Sequence, residues 1–490
     1  MSALLEEKEL AEAGEFLSKY VAEHGDSQDS VLVRPNCYCM TADEIEGEII
    51  DLVLAYLSKR NCGSALKSAL AHETVVEILN GNLEKFEQGE DVHLPSEDST
   101  VKKYDAISVA KAVFNHLYTI SDRWTANLPK LHKNRFSYEI SFEAIKNKRR
   151  KMEDKHFIMP DFNTLHGLGA QYPNQALFSV FDGHGGVDAA CYAASQFHCN
   201  LKKFEKLSTQ PLEALRYAFT KTDSEFIVKA KQERLKSGST GVVVLIQNDT
   251  MYTAWVGDSQ AVLGKNGVPI KLMEPHKPER EDERRRIEDL GGCVVWFGGW
   301  RVNGSLAVSR AIGDYEQKPF VSSDADISQY HFEGDEDYII IACDGLWDTV
   351  SDETAIELID SHIKNGHERS ECASMLATEA KARGSMDNIS VIVVFLDSHK
   401  KTHSKQENET LIDVANTNTQ QTQEDVGPRI EGAQLEGTVA DDSTVSTENL
   451  GMTVNATESS LEVKGSEPII DSVELEGSET NIKDDNFKSS

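Results

Sequence analysis

Leu177-Phe178-Ser179-Val180-Phe181 runs directly into Asp182-Gly183-His184-Gly185-Gly186. A short apolar-rich run that ends on a carboxylate and a glycine-rich turn reads as a buried strand reaching solvent at Asp182. The pattern recurs. Residues 338–343 run into Asp344, followed by Gly345-Leu346-Trp347-Asp348, and Asp387-Asn388 stands just before a third apolar run, 389–396. A carboxylate at the mouth of a buried strand is costly to desolvate unless a cation or hydrogen bonds offset it. Several of them, far apart in the chain but placed alike, point to one site that holds hard metal ions by oxygen.

Outward from these residues, strand-like runs alternate with amphipathic helical ones from Phe136 to about Leu396. Runs at 177–181, 241–246, 251–256, 338–343 and 390–396 predict strands, and 187–199, 211–229 and 354–363 predict helices. Gln247-Asn248-Asp249-Thr250, between two of the runs, is a hairpin signal. Hairpins with flanking helices predict an α+β fold on mainly antiparallel sheets, and two sheets stacked between helices would bury every run. Residues 1–130 read as a small helical domain. Thr41 and Glu44 have capping-box spacing ahead of Ile45, Ile49, Ile50, Val53, Leu54 and Leu57, and Ile107, Ala110, Phe114 and Leu117 repeat the helical period. Both stripes suit a core; a face that docks a protein partner is the sharper alternative. Residues 398–490 hold 19 acidic and 7 basic residues and one aromatic, Phe487. That is too little apolar surface to offset chain entropy, so a disordered acidic tail is expected.

At 490 residues the chain exceeds one typical domain. A formal charge of −32 and a pI near 4.9 argue against non-specific binding to nucleic acid or to an anionic membrane. No apolar run is long enough to cross a bilayer, and the first residues, Met1 to Lys8, lack the basic start and apolar core of a signal peptide. The cysteines at 37, 39, 62, 191, 199, 293, 343 and 372 have neither disulfide-module nor zinc-site spacing. Reduced thiols and a cytoplasmic, or also nuclear, location are expected. Any anionic substrate would be repelled by the overall field, so local cations must reverse that field at the site.

Arg149-Arg150-Lys151-Met152-Glu153-Asp154 brings basic and acidic groups together. If extended, the stretch puts Arg149, Lys151 and Glu153 on one face. An arginine near a metal site suits phosphate, because its planar fork pairs two oxygens at once. A plain surface charge cluster, or a nuclear-import signal over 146–151, reads from the same residues. In 182–186 the glycines let backbone approach a ligand closely, and His184 is the residue able to trade protons near neutral pH. An ordinary strand-to-helix loop with a structural histidine is the alternative. Gly257-Asp258-Ser259, Asp344 to Asp348 and Gly384-Ser385-Met386-Asp387-Asn388 each place Asp among turn residues at a strand end, where any one alone fits an Asx turn or a helix cap.

As an ordered set, these residues do more. The chain resembles the metal-dependent serine/threonine protein phosphatases of type 2C, the PPM family, over roughly Ser137 to Leu396. The matching motifs run Arg149…Glu153-Asp154, Phe181 to Gly186, Ser239-Thr240-Gly241, Gly257-Asp258-Ser259, Leu306 to Asp314, Cys343 to Asp348, and Asp387-Asn388. Pro275-His276-Lys277-Pro278, Arg284 to Gly292 and Asp324-Ala325-Asp326 look most like the calmodulin-dependent-kinase phosphatase subgroup. The resemblance implies a four-layer αββα sandwich over 136–397, its two mainly antiparallel sheets flanked by helices, with two Mn²⁺ or Mg²⁺ ions at one end. Carried over position by position, Asp182 bridges both ions, and Asp344 and Asp387 complete one. Glu153 and the carbonyl of Gly183 serve the other, with Asp154 acting near it through water. Asp258 and Asp348 match positions of a weaker third ion. Arg149 holds the substrate phosphate, and His184 is the general acid. The implied partners are phosphoprotein substrates, multifunctional protein kinases among them. Pro275 departs from an Asp common in the family, and Val321-Ser322-Ser323-Asp324 from a common Pro-Glu-Val-like segment. Both lie outside the expected metal shell and bear on the substrate groove.

This chemistry answers the charge puzzle. Two divalent cations and Arg149 make the site locally positive, and a water bridging two metals is acidified toward neutral, giving a hydroxide in line with phosphorus. Proton donation by His184 to the poor serine or threonine leaving group contributes on the order of 10²- to 10⁴-fold. No cysteine has a suitably placed arginine for the tyrosine-phosphatase Cys-x5-Arg pattern, and neither a Gly-x4-Gly-Lys-Ser/Thr loop nor a kinase catalytic loop is present. Two other readings compete. One is a catalytically dead scaffold of the same fold, against which the intact carboxylates argue. The other is a binding module in which 1–130 or the tail is the working part.

Overall fold

The computed structural model describes residues 3–24, 30–88, 102–169 and 171–400. The tail expected from residue 398 lies outside the described residues after Lys400. Ten strands form two five-stranded sheets. They are β1 (Ile140–Ile145), β2 (Lys155–Met159), β3 (Gln175–Phe181), β4 (Gly241–Gln247), β5 (Thr250–Val256), β6 (Gln260–Lys265), β7 (Val268–Lys271), β8 (Asp326–His331), β9 (Glu336–Ala342) and β10 (Ile389–Phe395). One sheet has the order β8-β5-β4-β3-β2 and the other β7-β6-β9-β10-β1, and every neighbouring pair is antiparallel. In the β4–β5 hairpin Gln247 pairs with Thr250, so the loop closes on Asn248-Asp249, with Asn248 in the left-handed region (φ 52°) that asparagine tolerates.

The longer helices are α1 (Glu7–His24), α2 (Ala42–Ser58), α3 (Ser64–Leu79), α4 (Ala106–Ala126), α5 (Asp188–Lys202), α6 (Pro211–Glu233), α7 (Glu281–Asp289), α8 (Asp352–Lys364) and α9 (Cys372–Ala382). Alternate residues of each strand face opposite layers. In β4, Val242, Val244 and Ile246 pack with Ile339 and Ile341 of the other sheet, whereas Val243 and Leu245 pack with Phe197 of α5 and Phe219 of α6. In β9, Ile340 and Ala342 pack with Ile356 and Ile359 of α8 and Leu376 of α9. Both faces of both sheets are covered. That is why antiparallel strands appear in the sequence as unbroken apolar runs rather than as alternating ones. The result is the expected α+β fold, a four-layer αββα sandwich.

Of the N-terminal helices, α2 lies on α5. The capping box forms as its spacing predicts, with the Glu44 carboxylate accepting the Thr41 N–H at 3.1 Å. One continuous cluster of buried side chains includes Leu17, Ile49, Val53, Val113, Phe197 and Phe219, so these helices share a core with the sandwich. One residue of the predicted stripes departs from expectation. Ile107 is 43% exposed, because α4 begins at Ala106 and buries Ala106, Val109, Ala110, Val113, Phe114 and Leu117 instead.

Candidate metal centre

The site forms where strands end. After β3, Asp182 is followed by the short strand Gly183–His184, which pairs with Gly238–Ser239; that segment also pairs with Ile312–Gly313. This ribbon fixes Asp182, whose carbonyl accepts the Thr240 N–H (2.9 Å) and the Ser239 hydroxyl (3.1 Å). After β9, Cys343 precedes the short helix Asp344–Trp347, and the indole Nε1 of Trp347 donates back to the Ala342 carbonyl at 3.0 Å. Ahead of β10, the Asn388 side chain gathers the loop between β1 and β2. It donates to the carbonyls of Lys146 (2.9 Å) and Lys151 (3.0 Å) and accepts the Glu153 N–H (2.7 Å). That loop therefore turns, with Asn147 at φ 48°, and does not run extended. The expectation that Arg149, Lys151 and Glu153 share an extended face is corrected: Asn388 holds the two ends of the segment together.

One carboxylate oxygen each of Asp154 and Asp182 and the Sγ of Cys343 lie within 4.8 Å of one another. The Asp344 carboxylate also stands beside that of Asp182. Burial, then the charges of Asp154, Asp344 and Asp258, raise the Asp182 carboxyl well above the ordinary range. Burial and the neighbouring Asp258, Asp348 and Asp387 push Asp344 up to about 7. Burial raises Asp154 to about 6, against a hydrogen bond at 2.7 Å from the Ser390 hydroxyl. The Oδ1 atoms of Asp154 and Asp344 are buried without a hydrogen-bond partner. Mutually repelling carboxylates with orphaned oxygens form a donor set that fits hard divalent cations. The Cys343 thiol does not compete as a ligand: burial and the same carboxylates push it well above the ordinary thiol range, so it stays protonated.

The remaining predicted residues surround this cluster. Arg149 pairs with Asp387. Gly183 packs so tightly on Glu153 that a Cβ there would stand 2.5 Å from the Glu153 carbonyl oxygen, which leaves room for glycine only. Asp258 is buried and ion-paired with Lys277, and Asp348 is exposed with its charge facing the same lysine. His184 is half-buried, with Nε2 2.7 Å from Oδ2 of Asp314. Burial pulls the imidazole pKa down, but the Asp314 carboxylate outweighs it, and the net shift is upward.

Asp314, Asn388 and Lys277 hold site residues in place, and sequence reasoning gave none of them that role. Asp314 stood inside a quoted motif, but its partner lies 130 positions away. A second acidic group, Glu333, Asp335 and Glu336, is bonded by Lys265 and is not a comparable site.

An antiparallel αββα sandwich that gathers carboxylates from distant strand ends, with an arginine and a histidine at their edge, defines a candidate metal-dependent hydrolase. The chain belongs to the protein phosphatase 2C family, which residues 138–389 match. It is 47% identical to human Protein phosphatase 1E over 384 residues, covering 77% of this chain and 50% of that protein. It is 45% identical to human Protein phosphatase 1F over 371 residues, covering 73% of this chain and 80% of that protein. Against the 1E proteins, the chain spans about half the length of the relative. A solved structure of a C. elegans sex determining protein superposes with a TM-score of 0.63 at 25% identity, covering 80% of this chain and 96% of that one. That coverage exceeds the 138–389 region, so the likeness extends beyond it.

Proposed function

We propose that this chain hydrolyses phosphoserine and phosphothreonine esters in proteins, multifunctional kinases among them, with the help of divalent cations. The observation that carries the reading is the convergence of Asp154, Asp182 and Asp344, with buried oxygens left unsatisfied, beside Arg149 and His184. Asp182, Asp344, Asp387, Glu153 and the Gly183 carbonyl would hold two Mn²⁺ or Mg²⁺ ions, with Asp154 close by and a weaker third ion at Asp258 and Asp348. When bound, such ions supply positive charge against a phosphate dianion and acidify coordinated water.

The chain's own groups do the rest. Arg149 swings from Asp387 to grip phosphate oxygens with its planar fork. His184, with Nε2 2.7 Å from the Asp314 carboxylate, gives a proton to the departing serine or threonine oxygen. Asp314 orients the ring and stabilises its protonated form. The test is hydrolysis of a phosphothreonine peptide by the full chain with Mn²⁺ or Mg²⁺ and with a chelator. Turnover only with metal supports the reading, and metal-independent turnover or none contradicts it.

A further inference from the structure

The loop that carries Arg149 holds more positive charge than one phosphate uses. Lys146, Lys148, Arg150 and Lys151 are all exposed, and among the described residues none of the four forms an ion pair. Among the described residues, Lys148 reaches only the Sδ of Met386, at 3.4 Å. In a chain of net charge −32, cations clustered beside the site with no ion-pair partner among the described residues are an exception that needs a reason. Nor does the loop hang free. Asn388 clamps the carbonyls of Lys146 and Lys151, and Asn147 donates to the Ser385 carbonyl at 2.7 Å. These bonds tie the loop to the segment that bears Asp387, and Arg149 at its centre touches Asp387. The neighbouring cations are thus presented on a fixed frame to either side of the position assigned to the substrate phosphate. A basic import signal would have to be read as a free peptide, and this segment would lose all three side-chain clamps to be read so.

We infer that Lys148, Arg150 and Lys151 form a subsite for anionic side chains, carboxylate or a second phosphate, near the phosphorylated residue of the substrate. This rests on the phosphatase reading. Successive Cα atoms lie about 3.8 Å apart, and an extended substrate advances about 3.3 Å per residue, so the loop reaches anions within about three positions of the phosphoresidue. The contacts are exposed, so they act as screened charge pairs and weaken as salt rises.

The test uses the full chain with Mn²⁺ and three phosphothreonine peptides: one with neutral flanks, one with glutamates, one with a second phosphoserine. The comparison protein is the triple variant Lys148→Ala, Arg150→Ala, Lys151→Ala, and p-nitrophenyl phosphate is the flank-free control. At low ionic strength kcat/KM for the anionic peptides exceeds that for the neutral one by about tenfold. The excess shrinks with added salt and vanishes in the variant, while p-nitrophenyl phosphate turnover is unchanged. Preference for only one anionic peptide identifies the source of the charge. Equal rates on all three peptides in the unmodified chain overturn the proposal, as does an equal loss on p-nitrophenyl phosphate in the variant. If no ester is hydrolysed at all, the phosphatase reading fails by itself. Fluorescence anisotropy with the same labelled peptides then decides the subsite: tighter binding of the anionic peptides, lost in the variant, keeps it, and equal binding removes it.

Discussion

Asp182 lies at the centre of a repulsive cluster, and the chain bears that repulsion for the sake of the site. Replacing it with asparagine removes one of the charges. In chelator, Asp182→Asn therefore melts higher than the unmodified chain, by about 1–2 kcal/mol of added stability, and Mn²⁺ no longer raises its melting temperature. Thermal melts with and without metal read both effects. His184 and Asp314 behave as a pair. His184→Ala slows alkyl phosphate hydrolysis by about 10²-fold or more and slows aryl phosphates with good leaving groups far less. Asp314→Asn follows in the same direction with a smaller loss. Matched kinetics on the two ester types check this, and equal losses on both would remove the proton-donor role. At this scale the sequence was legible where chemistry and local pattern coincide. Asp182 and Asp344 each stand where an apolar run ends, and Asp387 stands just before one begins. Asp314, Asn388 and Lys277 stood inside quoted motifs, but their partners lie elsewhere in the chain, and no local pattern gives them the role of holding site residues.

Elements repeat that division. Strands were visible as apolar runs because both sheets are covered on both faces, and the β4–β5 hairpin was visible in its turn residues. The loop between β1 and β2 was not, because its shape is set by the Asn388 side chain arriving from just ahead of β10. The packing of α2 on α5 was equally hidden, since a glycine in a helix ordinarily lowers helix propensity. Here Gly47 is required: an added Cβ would stand 2.2 Å from the Ser195 carbonyl oxygen. Gly47→Leu destabilises the chain by about 2–3 kcal/mol, measured by denaturant unfolding, and a neutral result would mean that α2 does not seat on α5. On α7, Glu283 joins Arg286 and Arg310. Burial raises its pKa, but hydrogen bonds from Arg310, Arg286 and Ser309 outweigh this and bring the carboxyl down to about 2. A depressed carboxyl stabilises the fold above its unfolded value of 4.5, and the contribution is lost as pH falls from there toward about 2. It is worth about 2 kcal/mol at neutral pH. Glu283→Gln lowers stability at pH 7 and flattens the acid limb of the stability profile in that window; an unchanged profile would contradict it.

At the scale of the whole molecule, the N-terminal helices and the sandwich share one buried cluster, while the acidic site lies at the strand ends and is reached through loops. Rigid layers thus hold a site whose own groups repel one another, the arrangement in which bound cations add stability and supply the chemistry together. On the proposed reading, the chain's overall negative charge would matter less than the local field that bound ions and Arg149 would set. The most direct measurement is calorimetric titration of the full chain with Mn²⁺, in parallel with Asp182→Asn. Saturable binding of two ions by the unmodified chain, abolished or reduced to weak binding in the variant, is the predicted result. Indistinguishable titrations of the two proteins would contradict it.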